Sequence, residues 1–132
     1  MRQTFIVGCG YVGRYIAREE IERGAKVSAL THSEQSAQEL RELGVEPILG
    51  DLDDESGFPD LDLGDHTIYY LAPPPPRGEL DTRISHFLAH ITGARPPRRV
   101  VSISTTGVYG DCGGDWVDES RPVNPQVDRA KR

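Results

Sequence analysis

Between residues 4 and 17 the chain reads TFIVGCGYVGRYIA. An apolar, β-branched run gives way to glycine at Gly8, Gly10 and Gly13, then passes directly into a helical pattern. A continuous apolar run of this kind suits a strand buried on both faces. Glycines at this spacing permit a tight turn at the first and close approach to the backbone at the second. At the third they let the helix pack against the strand. The chain therefore opens on a strand–helix unit whose next strand must return by a right-handed crossover.

The remaining sequence repeats that alternation. Tyr11–Arg23 places Val12, Ile16, Ala17 and Ile21 on one helical side, and Gly24 stops the helix. A second strand follows at Lys26–Leu30. The next helix is capped by Ser33 or Ser36, carries Ala37, Leu40 and Leu43 inward, and ends at Gly44. Val45–Gly50 is a third strand, and Pro47 within it indicates a sheet edge. Asp51–His66 reads as a polar, acidic loop, Thr67–Ala72 as a fourth strand and Arg99–Ser104 as a fifth. Leu80, Ile84, Phe87, Leu88 and Ile91 form a helical stripe between the last two strands. No regular element is expected after Thr106. The pattern predicts one α/β domain over residues 1–132, a doubly wound parallel sheet of about five strands in the order 3-2-1-4-5.

Composition excludes several classes. The net charge is −6, from 15 basic and 21 acidic residues, which disfavours a nucleic-acid partner. No apolar run reaches the roughly 20 residues of a membrane span, and no secretory leader is legible, so the expected compartment is the cytoplasm. Two cysteines, Cys9 and Cys112, form neither a disulfide framework nor a zinc site. The acidic run DLDDESGFPDLD fails as a calcium loop, having Ser56 where glycine is needed and Asp62 where glutamate is needed. The prolines Pro73–Pro76 follow a core strand directly, which argues against a ligand for an SH3-type domain.

In this context Gly8, Gly10 and Gly13 predict a dinucleotide site, with the N-terminal amides of the helix at Tyr11, Val12 and Gly13 facing a pyrophosphate. The turn after strand two is Thr31, His32 and Ser33, with no carboxylate to hold a ribose 2′-hydroxyl. That favours NADP modestly over NAD, and Arg14 is placed to pair with a 2′-phosphate. Asp51 is positioned to accept from an adenine amino group, with Leu52 against the ring.

The segments IVGCGYVGRYIA, GDL, YYLAPPP and STTGVYGD, continuing to WVDE, resemble the extended and atypical short-chain dehydrogenase/reductase superfamily, and within it the NAD-dependent epimerase/dehydratase proteins. The resemblance covers nearly the whole chain. It implies that Thr105 hydrogen-bonds the reacting oxygen of a nucleotide sugar or similar substrate. It also implies that Leu71, Ala72 and Pro73 lie along the nicotinamide ribose. Tyr109 then shapes the site and stands next in line as an acid/base. The family's Tyr and Lys are spaced Y-x-x-x-K; Lys131 is the lysine in the right region, but Val127 stands four residues before it. The chain thus reads as a cofactor-binding half without the usual acid/base, or as a non-catalytic NAD(P) sensor. The fifth strand, left as an open edge, invites a homodimer.

Overall fold

A computed structural model describes all 132 residues. Five parallel strands form the main sheet: β1 (Gln3–Val7), β2 (Lys26–Thr31), β3 (Glu46–Leu49), β5 (Thr67–Tyr70) and β7 (Arg99–Ser102). Their order is β3-β2-β1-β5-β7. Two short strands, β4 (Leu61–Asp62) and β6 (Ile91–Thr92), form a separate parallel pair. With that pair set aside, the main sheet has the expected 3-2-1-4-5 order. β3 is an edge, which explains how Pro47 is accommodated beside Ala29.

Side-chain alternation along the strands supplies two cores, one per face. Phe5 and Val7 point to one side with Leu30, Ile68 and Tyr70. Ile6 points to the other with Val27 and Ala29. Helices α1 (Tyr11–Glu22) and α2 (Glu34–Glu42) cover the second face through Ala17 and Leu40. Both end as expected on glycines with positive φ, Gly24 and Gly44 at +83°. In each case the next amide reaches back five residues, Ala25 to the Glu20 carbonyl and Val45 to the Leu40 carbonyl, both at 2.9 Å. Ser33 caps α2, its hydroxyl accepting from the Ser36 amide at 3.1 Å, so Ser36 is not the cap.

A buried polar cluster ties α1 to the sheet. The Glu20 carboxylate accepts from the Thr4 hydroxyl at 2.7 Å and from the Arg2 guanidinium at 3.1 Å. Thr4 and Glu20 are both fully enclosed, and each satisfies the other.

The first face differs from expectation in two ways. Asp51–His66 is not simply a polar loop: Phe58, Leu61 and Leu63 are buried in the core there, doing what a crossover helix does elsewhere. The apolar stripe is also broken. Helix α3 spans only Thr82–Ala89 because Asp81 caps it, accepting from the Ile84 amide at 3.1 Å. Leu80 therefore precedes the helix and is 76% exposed; Leu88 faces solvent at 55%, and Ile91 belongs to β6. Phe87 alone of the stripe is deeply buried, its ring stacked parallel to Phe5 with centroids 6.1 Å apart. Phe87→Ala should cost about 3–5 kcal/mol and Leu88→Ala under about 1 kcal/mol. Equal shifts in urea midpoint for the two would contradict this packing.

Beyond β7 the chain forms a single 3-10 turn, Thr106–Tyr109, and a short helix α4, Asp128–Lys131, where no regular element was expected. β7 itself is bare. Val100 and Val101 point to opposite faces, yet are 57% and 37% exposed. No helix of the structure is long and apolar enough to cross a membrane.

Candidate functional site

The chain leaves β1 for α1 on one face, while α3, which connects β5 to β7 by way of β6, lies on the other. β1 and β5 are paired neighbours, and the chain leaves their carboxyl ends towards opposite faces, which opens a crevice there. Ligands of doubly wound sheets bind at such a switch point. Two adjoining clefts occupy it, of about 490 and 410 Å³.

The three glycines do different jobs there. Gly8 has φ +88°, and a Cβ on it would lie 2.6 Å from the Ala72 backbone nitrogen, so no side chain fits between the turn and the end of β5. At Gly13 a Cβ would meet the Gly8 carbonyl at 3.0 Å, which keeps α1 tight against the turn. At Gly10 a Cβ would meet nothing within 4 Å; the space beside it is open cleft. The first backbone bond of the helix runs from the Arg14 amide to the Gly10 carbonyl at 3.0 Å. The amides of Tyr11, Val12 and Gly13 therefore lack helical partners and are available to an anion. The first turn carries no acidic residue to neutralise them.

The larger cleft is lined by the glycine loop with Tyr11, Val12, Arg14, Thr31, His32, Leu71 and Pro73. The smaller adds Asp51, Leu52 and Ala72. Of the residues expected at a dinucleotide site, only Ser33 lines neither, its hydroxyl being engaged as the α2 cap. Cys9 also lines the cleft, but burial pushes its thiol pKa up against the pull of Arg14, so it stays a neutral, small residue.

Some features escape sequence reasoning. Arg83 on α3 grips Asp53 with two bonds of 2.7 and 2.9 Å and donates to the Pro73 carbonyl at 3.0 Å. That clamp joins the loop after β3 to the proline segment after β5 and holds the Asp53 carboxyl below its usual pKa range. His86 adds a bond between its Nδ1 and the Leu52 carbonyl at 2.7 Å. No local signal reveals these pairs, which join residues 30 and 34 positions apart. Arg14, expected to pair with a 2′-phosphate, is engaged by Glu39 of α2.

A third cavity, of about 620 Å³, lies beyond the ends of β5 and β7. Thr105 lines it together with Ala72, Pro73 and Ser104, while Tyr109 does not. The Thr105 hydroxyl accepts from the Gly107 amide at 3.2 Å and so keeps its own proton to donate. Lys131 also lines the cavity, its ammonium 3.1 Å from Glu79. Tyr70 lines it too, but its hydroxyl is enclosed without a partner, and burial, followed by Asp81, pushes its pKa up.

A TrkA-N domain model matches residues 4–68, from β1 into β5. A 4-hydroxy-2-methyl-3-oxo-4-farnesyl-3,4-dihydroquinoline-1-oxide ketoreductase from Stigmatella aurantiaca is 32% identical over 133 aligned positions, 92% of this chain and 39% of that protein. The decarboxylating sterol-4-alpha-carboxylate 3-dehydrogenase of Dictyostelium discoideum is 36% identical over 73 residues, 54% of this chain and 22% of its own length. The chain is thus similar to proteins named as a dehydrogenase and a ketoreductase, and it carries an NAD(P)-binding Rossmann domain.

Solved structures share the fold of this domain. A conserved protein of unknown function from Silicibacter pomeroyi DSS superposes with a TM-score of 0.66 at 25% identity, over 99% of this chain and 45% of that one. A candidate epimerase from Burkholderia cenocepacia J2315 gives 0.71 at 21% identity, over 98% and 46%. The domain spans less than half the length of each of these relatives.

Proposed function

We propose that this domain holds NADP, and less tightly NAD, for an epimerase, dehydratase or reductase acting on a nucleotide sugar or similar substrate. The observation that carries the reading is the convergence of the glycine loop, the Thr31–His32 turn, Asp51–Leu52 and Leu71–Pro73 on one crevice at the β1/β5 switch point. The free amides of Tyr11, Val12 and Gly13 meet the pyrophosphate, and the open space at Gly10 admits it. Asp51 accepts from the adenine amino group and Leu52 packs on the ring. Ala72 and Pro73, stiffened by the Arg83 clamp, line the nicotinamide ribose.

A dinucleotide bound there supplies hydride exchange with a carbon that bears an oxygen. The Thr105 hydroxyl donates to that oxygen and orients it beside Ala72 and Pro73. Two relatives named as a dehydrogenase and a ketoreductase support this kind of chemistry. A second reading, a cofactor sensor without turnover, is favoured by Val127 four residues before Lys131 and by the engagement of the Lys131 ammonium with Glu79.

The cofactor preference has its own test. The turn Thr31–Ser33 holds no carboxylate to repel a 2′-phosphate. His32→Asp should weaken NADP about tenfold while strengthening NAD, because a new carboxylate binds ribose hydroxyls and repels phosphate. Calorimetry that finds NAD bound more tightly than NADP by the parent chain would overturn the preference.

A further inference from the structure

We propose that Glu39 sets how strongly the cleft discriminates between NADP and NAD, by holding Arg14 away from a 2′-phosphate. This rests on the reading of the Gly8–Gly13 cleft as the cofactor site. Arg14 lies in the first turn of α1 and is the one arginine or lysine lining the larger cleft, where it stands with Thr31, His32 and Ser36. In the smaller cleft the corresponding cation is Arg83, which is committed to Asp53 and to the Pro73 carbonyl. A phosphate at the end of β2 therefore has Arg14 alone to meet it as a permanent cation. That guanidinium already donates from Nη2 to Glu39 Oε2 at 2.5 Å, an ion pair between α1 and α2.

The consequence is a competition. A 2′-phosphate must take Arg14 from Glu39, or settle beside the pair and feel the carboxylate's repulsion. Either route weakens NADP. NAD carries a hydroxyl at that position and has no need of Arg14, so Glu39 acts on the difference between the two cofactors. The pair is partly solvated, its side chains 36% and 43% exposed, so the penalty is a few-fold rather than prohibitive. Glu39 is a positioning residue: it works through Arg14 and itself lines neither cleft.

The test is a double-mutant cycle on the 132-residue chain, titrated with NADP and with NAD. Glu39→Gln should tighten NADP about threefold to tenfold and move NAD much less. Arg14→Ala should loosen NADP. In the Arg14→Ala background, Glu39→Gln should have lost its effect, since there is no guanidinium left to release. Melting curves for each variant show whether the fold is retained, and Glu39→Asp, which keeps the charge, should restore parental selectivity more nearly than Gln does. An unchanged NADP/NAD ratio in Glu39→Gln overturns the proposal while leaving the cofactor site standing. So does a full Glu39→Gln effect without Arg14. A parent chain that binds neither dinucleotide overturns the site and the proposal together.

Discussion

Gly10→Val should fold like the parent and lose its dinucleotide. A valine Cβ at this position meets no protein atom within 4 Å, and φ is −86°, outside the left-handed region that favours glycine. The helix cap loses little, because Gly10 supplies no side-chain bond, so stability should change by no more than about 1 kcal/mol. The branched side chain instead fills the space through which a pyrophosphate reaches the amides of Tyr11, Val12 and Gly13. Charge-assisted hydrogen bonds are worth about 1.5–3 kcal/mol each. Losing two of them weakens binding about a hundredfold or more. Gly8→Ala provides the contrast: its Cβ would strike backbone at Ala72, and φ is +88°. That variant should lose stability by about 2 kcal/mol or more. Calorimetry with NADP, paired with urea unfolding, separates the two. Parental affinity in a well-folded Gly10→Val would place the site elsewhere.

The glycine loop was legible because each requirement is local: a strand, a turn and a helix within ten residues. The sheet order followed from the strand–helix alternation, and Pro47 marked the β3 edge because a proline cannot donate to a second neighbour. Phe58, Leu61 and Leu63 were hidden by the carboxylates around them. Their burial depends on β4 pairing with β6, a contact thirty residues away that has no periodic signature. The stripe from Leu80 to Ile91 misled because helical spacing says nothing about where a helix starts. Asp81 decides that, and it leaves Leu80 outside. Around the cleft, residue types were readable but partners were not. Ser33 is spent on a cap, Arg14 on Glu39, and Arg83 on Asp53.

The purified 132-residue chain should bind NADP without turning over carbonyl compounds or nucleotide sugars. Hydride or proton transfer needs an acid/base within hydrogen-bond reach of the reacting oxygen. Thr105 can orient that oxygen, but a hydroxyl beside one backbone amide is a poor base at neutral pH. Tyr109 lies outside the cavity that holds Thr105 and has Gly113 four residues on, where the family pair would need a lysine. The Tyr70 hydroxyl is enclosed, and burial keeps it protonated. The bare β7 edge should add self-association, seen in sedimentation as a weight-average mass that rises with concentration. Turnover that disappears in Thr105→Ala would show that these residues suffice for catalysis.

In the proposed function the dinucleotide lies across the carboxyl ends of β1, β2, β3 and β5. Amide resonances of the isotopically labelled chain, followed while NADP is added, test it most directly. Saturable shifts are expected at Gly8–Gly13, Thr31–His32, Asp51–Leu52 and Leu71–Ala72, with little change at Gln3, Lys26 or Glu46 on the opposite edge. Shifts confined to that opposite edge, or none at millimolar NADP, would contradict it.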